Sequence, residues 1–239
     1  GRTEGEGGEE GAAGLLEALL LGGAAALVYA VIQRSAPRWT ALASALFLFA
    51  PGTRMYTRVG MESALCMCLL SAIWYCATRL EQERITSVRL LSTGALCALA
   101  ALARLEALCA VLCLGWLLRR QLIAAPTRAL WLGGPPLLGS ALYMAWSRVR
   151  FGTYLPVSGL VKQLQAGIYY SGAPELRFGP VAALLLIAAF TVALWHWLQP
   201  RLPWIAPLRF PLITAFGMLS LDFASLGLLC HWYMGVGML

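Results

Sequence analysis

Charge is scarce in this sequence. Of its 239 residues only 12% are Asp, Glu, Lys or Arg, with one lysine, Lys162, and one aspartate, Asp222. Soluble domains carry about 25% charged and about 45–50% apolar residues, whereas 60% of this chain is hydrophobic. A soluble domain of this length could not cover so many Leu, Ala, Val and Trp side chains without exposing large apolar patches. The bilayer is therefore the first solvent to consider. The basic stripe of a nucleic-acid binder is also missing: the net charge is +7, but the arginines are scattered between apolar runs. Nucleic acid is not an expected partner.

Other absences narrow the chemistry. No Ser-His-Asp set, phosphate loop or metal-ligand spacing is present, and no internal repeat or soluble module interrupts the apolar runs. The seven cysteines lie almost entirely inside those runs. None forms a Cys-x-x-Cys or pairs with histidine, so packing is expected of them rather than disulfides or a metal cage. The first residues are Gly/Glu-rich and acidic where a signal peptide would be basic. Residues 1–13 are expected to be a disordered low-complexity tail, and 14–239 a single transmembrane domain. Both ends read as truncations, since the chain opens Gly-Arg-Thr and stops inside an apolar stretch at Met238-Leu239.

What is present are runs long enough to cross a membrane, for which about 20 apolar residues are needed. Gly14 to Ile32, Glu62 to Ala77, Ala129 to Val149, Phe178 to Leu198 and Phe210 to Cys230 meet or approach that length. The expected fold is all-α, a multi-pass transmembrane bundle of about 6 to 8 membrane helices. Thr40 to Ala50 is short, and Leu90 to Leu118 is too long for one ordinary crossing and holds Arg104 and Glu106 near its middle.

Charge decides how that long run is threaded. Arg79, Arg84 and Arg89 precede it and Arg119, Arg120 and Arg128 follow it, and the positive-inside rule places both loops in the cytoplasm. A helical hairpin with Arg104-Leu105-Glu106 at its apex satisfies that rule. Continuing the alternation places Gln33 to Trp39 and Gln199 to Arg209 inside as well. Pro51 to Met61, the hairpin apex and the loop 150–177 fall outside, in what would be the outer face of a cytoplasmic (inner) membrane. That last loop is longer than usual connections and is the candidate working surface.

Ionisable residues near membrane depth are costly and point to function. Arg54, Arg58 and Glu62 form one group, in which Glu62 would also suit the first turn of a helix through the macrodipole. Arg104 and Glu106 form a second; two apart on a regular helix they would not face each other, so each needs another partner. Arg148, Arg150, Tyr154 and Lys162 form a third, and positive charge on the outer side fits an anionic phosphate headgroup. Interfacial snorkelling and headgroup contact are the plain alternatives for these arginines. His231, Trp232 and Tyr233 close the last apolar run and suit an aromatic belt.

Three segments also carry a family resemblance. Gly60-Met61-Glu62, then Arg104-Leu105-Glu106, then Arg150-Phe-Gly-Thr-Tyr-Leu-Pro156-Val-Ser-Gly-Leu-Val-Lys162 resemble, in order and spacing, the integral-membrane GT-C glycosyltransferases related to terminal arabinofuranosyltransferases. Trp232-Tyr233 is similar to a later aromatic pair in that family. Leu105, Ala107, Val157 and Leu160 stand where the family has Pro, Gly, Asn and Tyr.

The resemblance implies transfer of a sugar from a polyprenyl-phosphate donor to a glycan or lipid acceptor, within the bilayer's outer face and without a nucleotide sugar. It implies Arg58, Arg104, Arg150, Tyr154, Lys162, Trp232 and Tyr233 in substrate binding, with Glu62 and Glu106 as catalytic candidates. No resident cofactor is assigned, and a divalent cation is left open. The essential acid that GT-C enzymes place in their first outer loop has no counterpart before Gly14, so the full-length protein is expected to be the enzyme. The rival reading is a non-enzymatic multi-pass protein, a transporter or lipid-carrier binder.

Overall fold

In the computed structural model, residues 4–35, 37, 40, 44, 61–83, 85–104, 107–152, 154 and 208–226 are described. Seven helices and no strands occur among them: α1 (Glu4–Ser35), α2 (Met61–Gln82), α3 (Ser87–Ala103), α4 (Leu108–Leu117), α5 (Arg119–Ala124), α6 (Pro126–Phe151) and α7 (Arg209–Leu226). The protein is an all-α membrane bundle. Ala12–Arg34 of α1 and Ser63–Gln82 of α2 combine the length and apolar character of a membrane crossing. At 1.5 Å per residue, the 26 residues of α6 reach about 39 Å, also enough to cross. The expected run Phe178 to Leu198 lies outside the described residues.

Helix α1 begins at Glu4, where the sequence suggests a disordered tail through residue 13. Local signals set the other boundaries. Thr86 caps α3, its hydroxyl accepting from the Arg89 N–H at 3.4 Å. Pro126 occupies the first position of α6, where its missing N–H costs nothing. Gly152 ends α6 in the left-handed region at φ 73°, the one positive φ among the described residues, and its N–H returns to the Arg148 carbonyl at 3.0 Å.

Small and large apolar side chains share the interior, with Ile73, Leu90 and Leu114 buried beside alanines, while other large ones face outward. Ala24, Ala64, Ala100 and Ala110 are fully buried, whereas Leu112, Leu137 and Val149 are 74%, 69% and 88% exposed. Small residues let helix backbones approach, and lipid accepts the large apolar ones on the outside. The six described cysteines are free, and Cys66, Cys97 and Cys113 are buried among apolar neighbours.

Contacts between helices fix their directions. A Cβ built on Gly94 of α3 would meet the carbonyl oxygens of Leu132 and Trp131 at 2.6 and 2.8 Å, and Ala98 lies 3.6 Å from the corresponding point on Gly139. Rising numbers on α3 meet rising numbers on α6, so these two helices run parallel. The chain must therefore return between them, which makes α4 the ten-residue return arm of a hairpin.

The same test orients the remainder. Gly23 approaches Cys68 and the Arg34 guanidinium stacks over the Tyr75 ring at 5.3 Å, so α1 and α2 are parallel. Phe210 meets Cys113 and Gly217 meets Cys109, so α7 is antiparallel to α4. One end of the bundle thus collects Arg34, Arg79, Arg89, Arg119, Arg120, Arg128 and Arg209. The opposite end collects the start of α2, Arg104 and the last turn of α6.

The close seam of α3 and α6 has a chemical cause. Pro135 and Pro136 have no N–H, so within α6 the carbonyls of Trp131 and Leu132 lack their usual donors four residues on. Gly94 lies against those same two oxygens. Any side chain at residue 94 would forbid that approach.

Candidate functional site

The apex of the hairpin is built by a break in helical geometry. Arg104 adopts an extended conformation, φ −152° and ψ 120°, directly after α3. Its N–H donates to Ala100 O at 2.8 Å, and its carbonyl accepts from Ala107 N–H at 2.9 Å, which turns the chain into α4. The spacing of Arg104 and Glu106 on a regular helix is therefore not the relevant geometry. The Arg104 side chain is only 6% exposed and engaged in contacts within the bundle. A buried guanidinium retains its charge in any accessible pH range, so the apex places fixed positive charge inside the protein.

The end of α6 lies at this same end of the bundle. Arg148 donates to the Gly152 carbonyl and stacks over the Tyr154 ring at 5.3 Å. This arrangement closes the helix C-terminus, where positive charge is favoured. Arg150 is exposed beside it. Trp146 is stacked on Tyr143 with centroids 5.9 Å apart and meets Phe151 edge-on at 5.5 Å. With Trp146 at 54%, Phe151 at 52% and Tyr154 at 61% exposure, this tip has the aromatic and cationic character of a membrane–water border.

The structure thus brings Arg104, Arg150 and Tyr154 to one end of the bundle. Met61 and Glu62 open α2 at that end, which places Glu62 in the first helical turn. The side chain of Glu62, together with Arg58, Glu106, Lys162, Trp232 and Tyr233, lies outside the described residues.

The opposite end has a different character. Glu83 accepts from Arg79 at 2.8 Å and pairs with Arg89 at 2.6 Å, and Glu81 pairs with Arg209 at 3.1 Å. The Arg79 guanidinium holds the Glu83 carboxyl below its ordinary pKa, with Arg89 acting in the same direction. These pairs are partly exposed and each contributes little to stability, but together they tie α2, α3 and α7. Their arginines are neutralised in part by carboxylates.

The architecture defines a helical membrane protein with a cationic, aromatic border at this end. The family model described as dolichyl-phosphate-mannose-protein mannosyltransferase matches residues 6–155, more than half of the chain. The chain belongs to this family of GT-C-type membrane glycosyltransferases. Neither the curated proteins nor the solved structures give a match. The matched stretch contains Gly60-Met61-Glu62, Arg104-Leu105-Glu106 and the start of the Arg150 segment, and ends before Lys162 and the Trp232-Tyr233 pair.

Proposed function

We propose that the full-length protein transfers a sugar from a polyprenyl-phosphate donor to a glycan or lipid acceptor at the outer face of the membrane. The observation that carries this reading is the buried Arg104 at the break between α3 and α4, at the end opposite the basic loops. By the positive-inside bias, the end holding Arg34, Arg79, Arg89, Arg119, Arg120, Arg128 and Arg209 faces the cytoplasm. The Arg104 end then faces outward.

In such a transfer, the bond between the sugar's anomeric carbon and the donor phosphate oxygen breaks as the acceptor hydroxyl oxygen bonds to that carbon. The acceptor proton passes to a base, and the lipid phosphate leaves with the electron pair. Fixed cations lower the barrier by stabilising charge that grows on the departing phosphate. Arg104, Arg150 and Lys162 take that role. Arg58 and Tyr154 border the headgroup, Glu62 and Glu106 hold sugar hydroxyls, and Trp232 and Tyr233 offer aromatic faces to the sugar.

The family's description names a dolichyl-phosphate-linked mannose donor and a protein acceptor. A mannosyl donor is the first sugar to test, and the arabinofuranosyltransferase-like motifs make a pentofuranosyl donor the second. The purified full-length protein in proteoliposomes should use a polyprenyl-phosphate sugar and ignore the matching nucleotide sugar. Lys162→Ala should raise the KM for the lipid donor by about tenfold, the equivalent of one charge-assisted contact of about 1.4 kcal/mol. Use of the nucleotide sugar, or an unchanged KM, would remove the assignment.

A further inference from the structure

A small cavity lies between α2 and α7, away from the Arg104 end, lined by Leu70, Ser71, Trp74, Phe210, Thr214 and Ala215 among others. Two of its lining groups are hydroxyls. Ser71 is 1% and Thr214 3% exposed, and neither Oγ of Ser71 nor Oγ1 of Thr214 has a hydrogen-bond partner. Other buried hydroxyls of the bundle behave differently. Thr78 donates to Tyr75 O at 2.8 Å and Thr93 to Arg89 O at 2.7 Å, the usual return to a carbonyl three or four residues back. The Cys113 thiol, which donates to Phe210 O at 3.8 Å, lies within reach of Thr214, but sulfur is only a weak acceptor for the Thr214 hydroxyl and leaves that oxygen's own acceptor sites open.

We infer that one water molecule occupies this cavity and bridges Ser71 Oγ to Thr214 Oγ1. The cavity volume of about 10 Å³ matches the smallest space that holds a water, about 10–15 Å³. Each hydroxyl both donates and accepts, so a single water satisfies two groups that burial otherwise leaves unsatisfied. The bridge joins α7 to α2 where these helices touch only lightly. Together with the Arg209–Glu81 pair at 3.1 Å, it supplies a polar tie along that seam.

Three substitutions test the bridge by thermal unfolding of the full chain in lipid nanodiscs. Ser71→Ala and Thr214→Val should each lower Tm by a few degrees, about 2–4 °C, and the double variant should lose no more than the larger single loss. Additive effects, or a raised Tm in either single variant, would mean that the hydroxyls are independent and the cavity dry. Ala215→Val separates a water from a direct Ser71–Thr214 bond, because the added methyls enter the same space. It should lower Tm in the native background, where it displaces the water, and raise Tm in the double variant, where it fills an empty cavity. The same sign in both backgrounds would overturn the water bridge.

Discussion

Arg104→Met is expected to leave the bundle folded while lowering sugar transfer by about 100- to 1,000-fold, the usual cost of removing a preorganised group that stabilises transition-state charge. Methionine fills much of the arginine volume in the buried apex without leaving a hole. Thermal unfolding should therefore separate loss of charge from loss of fold. Arg104→Lys retains a point charge but not the planar fork, and should recover part of the rate. In the proposed role the effect should fall on kcat more than on the KM for donor, because the guanidinium would act on charge that develops as the phosphate departs. Turnover by Arg104→Met within about twofold of the native rate would show that the apex charge is structural.

Gly94→Leu should be the most destabilising single change in the described helices. A Cβ at residue 94 would stand 2.6 Å from Leu132 O and 2.8 Å from Trp131 O, against backbone that cannot step aside. Overpacking of this kind costs about 1–3 kcal/mol, which corresponds to a Tm loss of roughly 2–12 °C for a protein of this size. Gly139→Ala on the facing helix is the matched control. Its new methyl would meet Ala98 at 3.6 Å, an ordinary contact, and helix propensity favours alanine by up to about 1 kcal/mol. Equal tolerance of Gly94→Leu and Gly139→Ala would mean that α3 and α6 do not meet at the carbonyls bared by Pro135 and Pro136.

The membrane class was legible in the composition because no aqueous fold hides so much apolar surface. The hairpin was legible in charge: basic loops on both sides of Leu90 to Leu118 required an even number of crossings, and the parallel course of α3 and α6 agrees. Arg104 stood out as an arginine inside an apolar run, and it marks the break itself. The class of glycosyltransferase was also within reach of the motifs, and the family match gives it independently over residues 6–155.

What escaped the sequence depends on partners far apart in the chain. Gly94 reads as an ordinary helix-weakening residue until Pro135 and Pro136 are placed opposite it. Ser71 and Thr214 look like hydroxyls that bond their own helix, and only their meeting at one cavity shows otherwise. The arginines near Glu81 and Glu83 served as topology markers, yet Arg209 reaches Glu81 from 128 residues away.

The central claim is that the hairpin returns the chain to the basic end and carries Arg104 to the other. Topology reporters fused at Gln82, at the end of α2, and at Gln121, within α5, test it most directly. The account predicts that both report the cytoplasmic side. Reporters on opposite faces would mean that residues 87–117 cross once, and would remove both the hairpin and the outward position of Arg104.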